Sequence, residues 1–287
     1  MAEAPEICVR IDEFTDPICP WAYSTEPSRR RLRWLYEGRI EWVPRMVVLA
    51  TDREAQAERG FDPGKVAKQH RRIAREHRMP IVGGERQYVA GSGEACEAVV
   101  AAREQGSTRH ARMLLRRLRV AHFSGEMIDR ADVIAAAAER AGIDADELSD
   151  WREREGTAEA LAADVDAARQ PSQAAQVLND KLANWSGGRR YTCPSYEITR
   201  LSDDVTITVP GFQPFAVYDT ILANLVPRLE RRSPPETARE VLEWSVVPVA
   251  TKEVAVMRGI DFEDAREELG RIARQEFVGA DGFWTLD

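Results

Sequence analysis

An α/β fold interrupted by a large helical insertion, followed by a small winged-helix-like α+β module, is what this 287-residue sequence predicts. A β-α-β pattern opens the chain, helical periodicity then dominates from about 50 to 185, and strand patterning returns after it. A Pro-rich break then leads into a last run of helices and an apolar hairpin.

Residues 7–15 read as a strand ended by Asp16-Pro17. From Pro20 to about Tyr36 the pattern is helical, with Gly38 placed to stop it. Residues 39–49 form a second strand candidate, and Pro44 assigns it to an edge or a bulge because proline cannot donate to a ladder. Helical spacing recurs over 63–78, 94–104, 108–121 and 129–141, and from Asp144 to about Arg169. Such a block is too long for a loop and reads as an inserted helical domain. Ser186-Gly187-Gly188 breaks it. Ser195–Arg200 and Val205–Val209 across Ser202-Asp203-Asp204 make a hairpin, and Pro214 to Leu225 a closing helix. Ser233-Pro234-Pro235 reads as a linker. Beyond it come helices 236–246, 251–258 (Thr251 as N-cap) and 261–275 (Asp261 as N-cap), then a hairpin turning at Ala280-Asp281-Gly282. The domain division is 1–50 with 186–228, the insertion 51–185, and a C-terminal module 235–287.

A hydrophobic fraction of 44% with 31% charged residues is that of a globular protein with a core. The net charge of −8 argues against a general nucleic-acid or anionic-membrane surface. Residues 226–287 carry nine Lys/Arg against thirteen Asp/Glu, which turns the winged-helix outline away from DNA and toward protein interaction or packing. No apolar stretch is long enough to span a bilayer, and the acidic start, Glu3 to Glu6, is unlike a signal peptide. The expectation is a cytoplasmic protein with neither nucleic acid nor membrane as partner. Four cysteines (8, 19, 96, 193) are too few for a disulfide framework. An Arg- and Ala-rich composition points to a bacterial source.

Cys19-Pro20-Trp21-Ala22 lies where the first strand hands over to the first helix. Helix-terminal N–H groups there favour a thiolate, which makes Cys19 a candidate nucleophile. Pro20 suits the first helical turn, where its missing N–H costs nothing. Trp21 is either an aromatic wall beside the thiol or core packing. The usual local partner thiol is absent, because position 22 is Ala22. Cys193, before Pro194, is either a non-local partner of Cys19, by disulfide or as a second metal-binding thiolate, or a small packed residue. Two thiolates do not complete a tetrahedral site, so no metal is expected. Cys8 and Cys96 read as structural. His70 and His77, seven apart, read as a solvated face. Arg29, Arg30, Arg31 and Arg33 could stabilise a thiolate, bind an anionic thiol, or line a solvated face. Asp16 is a proton acceptor or a turn residue.

Several stretches together resemble the DsbA family of the thioredoxin fold, in particular its cytoplasmic FrnE-like branch, where Cys-Pro-Trp-Cys is usual. They are the strand–Cys-Pro-Trp–helix opening, Ala121-His122-Phe123 with Val133-Ile134 and Ala141-Gly142-Ile143-Asp144, Pro194-Ser195-Tyr196-Glu197-Ile198, and Gly211-Phe212-Gln213-Pro214. The likeness covers about 7–227. It implies a thioredoxin-like fold, Cys19 as attacking thiol, Pro194 as cis-proline, and Cys193 facing Cys19 with its backbone toward extended substrates. Pro20, Trp21, Ala22, Thr192 and Ser195 would then line the substrate or cofactor site. The residues 170–190, longer than is usual in that family, would form a loop reshaping the mouth of the cleft.

The implied activity is a thiol-dependent oxidoreductase. Cys19 attacks a disulfide or electrophile, and the mixed disulfide is resolved by Cys193 or by an external low-molecular-weight thiol. No tightly bound cofactor is expected; glutathione and mycothiol are both open as thiol co-substrates, and a homodimer is an open assembly state. Protein or small-molecule disulfides are the expected substrates. Two alternatives stand beside this reading. One is a thiol-cofactor-dependent transferase or isomerase, like the kappa glutathione transferases and 2-hydroxychromene-2-carboxylate isomerases, which normally carry Ser at the Cys19 position. The other is a non-catalytic binding protein acting through the acidic C-terminal module.

Overall fold

The computed structural model describes residues 6–286. All but Glu6 of the acidic N-terminal stretch lies outside them. Its centre is a four-stranded sheet in the order β2-β1-β5-β6. Strand β1 (Val9–Thr15) runs parallel to β2 (Ile40–Met46), and β5 (Ser195–Arg200) is antiparallel to both β1 and β6 (Val205–Pro210). Strand β2 is an edge, so Pro44 costs no ladder bond on its open side, where its carbonyl instead accepts from Arg103 at 2.6 Å. The crossover between β1 and β2 is two helices where one was expected. Helix α1 (Pro20–Ser24) ends at Thr25, whose hydroxyl donates to the Ala22 carbonyl, and α2 (Glu26–Leu35) restarts with Pro27 in its first turn. Cys8 lies before β1 rather than inside it, half-buried, its thiol donating to the Glu6 carbonyl.

The helical insertion follows: α3 (Arg53–Glu58), α4 (Pro63–His77), α5 (Gly93–Ala101) with a π turn over Ala102–Gly106, α6 (Thr108–Ser124) and α7 (Ala131–Ala141). The expected helix 144–169 is interrupted, giving α8 (Ala145–Arg152) and α9 (Glu155–Arg169). Asp164 on α9 explains how the block is fastened: buried, it accepts from Arg45, Arg103 and the Met46 N–H. The segment expected as a loop at 170–190 is instead α10 (Gln173–Val177), a 3₁₀ turn (Asn179–Lys181) and a hairpin of β3 (Leu182–Trp185) and β4 (Gly188–Tyr191). Strand structure therefore returns before Ser186-Gly187-Gly188, which turns this hairpin; Gly188, at φ +134°, adopts a conformation closed to most side chains.

After α11 (Phe215–Leu225), the Pro-rich segment lies along α2, with Trp34 Nε1 donating to the Ser233 carbonyl at 2.8 Å. The C-terminal module is α12 (Ala238–Trp244), β7 (Val249–Ala250), α13 (Thr251–Arg258), α14 (Phe262–Ile272), β8 (Ala273–Val278) and β9 (Asp281–Leu286), with sheet order β7-β9-β8. This is winged-helix order, with one more strand than expected. Thr251 is the first helical residue, not the cap. Ala250 occupies the cap position, and the Glu253 carboxylate accepts its N–H at 2.7 Å. Asp261 holds the N-cap position of α14 without a side-chain bond. The hairpin turns at Gly279-Ala280, since Val278 already pairs with Asp281, and Gly279 at φ +62° permits the tight turn.

One apolar cluster joins Val9, Ile11 and Ile198 of the sheet to Leu32 and Leu35 of α2, Leu222 of α11, and Leu242, Val254, Leu269 and Trp284 of the C-terminal module. A second fills the helical insertion against Met46. The C-terminal module is thus part of the core and not a tethered appendage.

Candidate active site

The turn between β1 and α1 is built on Asp16. Fully buried, its carboxylate accepts from the Ile18 N–H (3.0 Å), the Leu49 N–H (2.7 Å), the Ser92 hydroxyl (2.8 Å) and the Cys96 thiol (3.7 Å). This fastens the loop to the strand-β2 exit and to α5. Burial pushes the Asp16 carboxyl up, against the four hydrogen bonds that favour its charged form. Cys96 is therefore a buried donor to Asp16, and its own thiol is pushed well up by burial and by that carboxylate.

Cys19 caps α1 with an extended backbone, and Pro20 takes the first helical position. The Cys19 thiol donates to the Cys193 carbonyl at 3.2 Å. Both cysteines are buried, at 5% and 7% exposure, and neither is in a disulfide. The thiol of Cys19 is held below the ordinary cysteine value. The neighbouring Cys193 side chain contributes most, burial opposes, and the backbone N–H groups of Ala22 and then Trp21 assist, with Asp16 between them in size and acting upward. Cys193 is pushed well up by burial and by the Cys19 charge. The two sulfurs thus differ: Cys19 is the more acidic thiol and Cys193 the less acidic one.

Cys193 sits in the turn between β4 and β5, and the Cys193–Pro194 peptide is cis. Ser195 closes this turn: its hydroxyl donates to the Thr192 carbonyl at 2.8 Å and accepts from the Gly211 N–H at 3.2 Å. Thr192 is half-buried, Pro194 and Ser195 buried. Ala22 is fully buried with Phe14, Tyr191 and both cysteines, so its methyl fills the place beside the thiol with apolar surface. Trp21 lies edge-on to His77 (5.2 Å between ring centroids) and to Phe212 (6.0 Å).

Cys19, Pro20 and Trp21 open onto a cleft of about 160 Å³ between α1, α4 and residues 84–90. Its far wall holds three polar residues that sequence reasoning did not join to the site: His70, Arg86 and His122. His70 is buried, not solvated, packed edge-on to His122 at 6.1 Å and to Phe123 at 5.5 Å. Arg86 reaches a His122 ring nitrogen at 3.2 Å and donates to its carbonyl. Burial first, and Arg86 second, push His70 down to about 4 and His122 well below its usual range, so both are neutral at pH 7. Arg59 stands at the mouth, donating to the Leu49 carbonyl at 2.5 Å; burial and then Arg190 push its guanidinium down, and Asp16 opposes them. Of the two histidines read as one solvated helix face, His70 lines this cleft while His77 packs against Trp21.

Arg29 and Arg30, read as thiolate helpers or a solvated face, are neither. Arg29 pairs with Glu13 at 2.7 Å and with Glu26, while Arg30 bonds Ser245. Arg31 lies over the Phe215 ring at 4.3 Å. Among the described residues no group of three or more His, Cys, Asp or Glu is arranged to hold a metal, and no helix is long and apolar enough to cross a membrane.

A sheet of this order with a cysteine heading its first helix and a cis-proline turn beside it defines a thioredoxin-like thiol protein. Residues 10–172 match the DSBA-like thioredoxin domain, and the chain belongs to that family. The chain is similar to the ClpXP adapter protein SpxH of Halalkalibacterium halodurans, with 24% identity across 93% of this chain and 84% of that protein. The SpxH of Shouchella clausii is alike at 24% identity over 95% and 85%. Among solved structures, the cytosolic disulfide reductase DsbM from Pseudomonas aeruginosa superposes with a TM-score of 0.52 at 18% identity, covering 75% of this chain and 99% of that one. A protein described as a probable DsbA oxidoreductase from Streptomyces coelicolor gives 0.54 at 19% identity over 80% and 94%. These two likenesses are of fold.

Proposed function

We propose that this protein is a thiol–disulfide oxidoreductase in which Cys19 is the attacking thiol. The observation that carries the reading is the placement of Cys19, at the head of α1 and open to the cleft, against Cys193 of the cis-proline turn. The Cys19 thiolate attacks one sulfur of a substrate disulfide; a Cys19–substrate bond forms, the substrate S–S bond breaks and the other half leaves as thiolate. Cys193, once deprotonated, then attacks the Cys19 sulfur, giving a Cys19–Cys193 disulfide and freeing the second substrate thiolate. Alternatively an external thiol attacks the substrate sulfur of the mixed disulfide; an external thiol–substrate disulfide forms, the Cys19–substrate bond breaks and Cys19 leaves as thiolate. Glutathione and mycothiol suit the second route, since DsbM has been solved with GSH and the cleft here opens directly onto Cys19. A cytoplasmic location is inferred with it, supported by the fold likeness to a cytosolic reductase and by four unpaired thiols.

The test is intact-mass and peptide mapping after incubation with glutathione disulfide or a disulfide peptide. The reading expects a Cys19 adduct in the Cys193→Ala variant, and a Cys19–Cys193 cross-link or a transient adduct in the wild type. An unmodified Cys19 in both would overturn it.

A second reading is favoured by one observation: the SpxH likeness runs over nearly the whole chain, C-terminal module included. On that reading the protein binds another protein for delivery to a protease. It expects Cys19→Ser to leave partner capture intact, whereas the first expects that variant to lose thiol exchange.

A further inference from the structure

One buried ionic cluster of this protein carries more cation than anion. Arg29, Arg30, Arg116 and Arg119 meet Glu13, Glu26 and Glu253, four guanidinium groups against three carboxylates. The excess grows toward the surface. Among the described residues, Arg33 at the end of α2 and Arg112 on α6 make no ion pair and donate to no carboxylate, and neither does the more exposed Arg109. These three, with Arg30, line one cavity of about 370 Å³ between α2, α6 and the Trp244–Val247 segment of the C-terminal module. A smaller adjoining cavity reaches down to Arg116. There Arg116, 4% exposed, pairs one terminal nitrogen with Glu253 at 2.9 Å, while the other has no hydrogen-bond partner and lies 3.8 Å from Glu26. Arg112 Nε is likewise buried and unbonded.

Arginine remains charged in proteins, so a half-buried guanidinium facing others of its kind is destabilised until an anion arrives. Burial, followed by the facing arginines, drives Arg33 down to about 9 and Arg112 down to about 10. The nearby carboxylates only partly offset this, Glu26 acting on Arg33 and Glu41 on Arg112 without an ion pair to either. Glu37, on the rim, is taken by Arg232 and by Trp244 Nε1, and Glu41 approaches no arginine within ion-pair distance. Trp244, Met113 and Val247 give the same cavity an apolar side.

We infer that this cavity is a binding site for a small phosphorylated molecule, its phosphoryl dianion held by Arg33, Arg109 and Arg112 and its organic part lying against Trp244 and Met113. Several guanidinium forks lining one cavity suit a tetrahedral, doubly charged oxyanion better than a single carboxylate. The cavity shares no residue with the Cys19 cleft, so the site stands or falls independently of thiol chemistry.

Isothermal titration of the full-length protein with inorganic phosphate, inorganic pyrophosphate and phenyl phosphate, in chloride buffer of matched ionic strength, tests it. The expected result is saturable one-to-one binding that weakens by about tenfold or more in Arg33→Gln and in Arg112→Gln, and is unchanged in Arg71→Gln on exposed α4. Tighter phenyl phosphate than inorganic phosphate identifies an organic ligand; equal affinity identifies the free oxyanion. Should a variant fail to fold, dicarbonyl labelling of the wild type replaces it: pyrophosphate should shield Arg33 and Arg112 but not Arg71. No saturable binding, or binding and labelling indifferent to these arginines, overturns the proposal.

Discussion

Asp16 and Cys193 act on the same sulfur with opposite sign. The Cys193 side chain is the largest influence lowering Cys19, and the Asp16 carboxylate raises it. Removing each should move the thiol in opposite directions. In Cys193→Ala the pH midpoint for iodoacetamide alkylation of Cys19 should rise, and in Asp16→Asn it should fall. A shift of the same sign in both variants would show that general loosening of the turn, not these two groups, sets the thiolate. The motif at Cys19 was visible in sequence because a strand, a proline and a helix start are adjacent in the chain. The four donors on Asp16 come from residues 18, 49, 92 and 96, and no local pattern announces them.

On the scale of elements, the arginines of α2 show what periodicity hides. A run of Arg at helical spacing looks the same whether it meets water or buried carboxylates from distant elements. Here Glu13 of β1, Glu26 of α2 and Glu253 of α13 are all buried and draw Arg29, Arg116 and Arg119 inward. Glu13 and Glu26 are held below the ordinary carboxylate range; burial opposes this, but Arg29 and Arg119 beside each of them outweigh it. Breaking one partner leaves the others buried and unpaired. Glu26→Gln should therefore cost about 3–5 kcal/mol in urea unfolding. A loss under about 1 kcal/mol, the size of an exposed pair, would mean that water reaches this core.

The whole molecule couples its three parts through this polar core and the apolar cluster beside it, and its stability should depend on pH accordingly. His70, at about 4 in the folded protein against 6.5 unperturbed, stays neutral where the unfolded chain takes up a proton. Its stabilisation is present above about 6.5 and is lost as pH falls toward 4, amounting to about 3 kcal/mol. His122, shifted the same way, adds to the loss, and Glu13 and Glu26 extend it below the carboxylate range. Asp16, raised by burial, works in the other direction, since its protonation on acidification is easier in the fold. Urea midpoints between pH 7 and 4 should fall steadily in the wild type and less steeply in His70→Gln; identical slopes would remove His70 from the account.

That the Pro194 turn meets the thiol was expected only from the family resemblance; the order of strands and helices, the thiol at the head of the first helix and the winged-helix outline were legible in the chain. Each rests on residues close together in sequence, where hydrophobic period, caps and turn formers act directly. The β3–β4 hairpin, the break at Thr25 and the turn at Gly279 were less legible, because two- to four-residue strands carry too little pattern. Tertiary structure alone decided that His70, Arg86 and His122 face the thiol cleft, that the C-terminal module shares the main core, and that Arg33 and Arg112 have no carboxylate partner among the described residues. Those facts depend on which side chains from distant segments meet, and on how much water is excluded where they do.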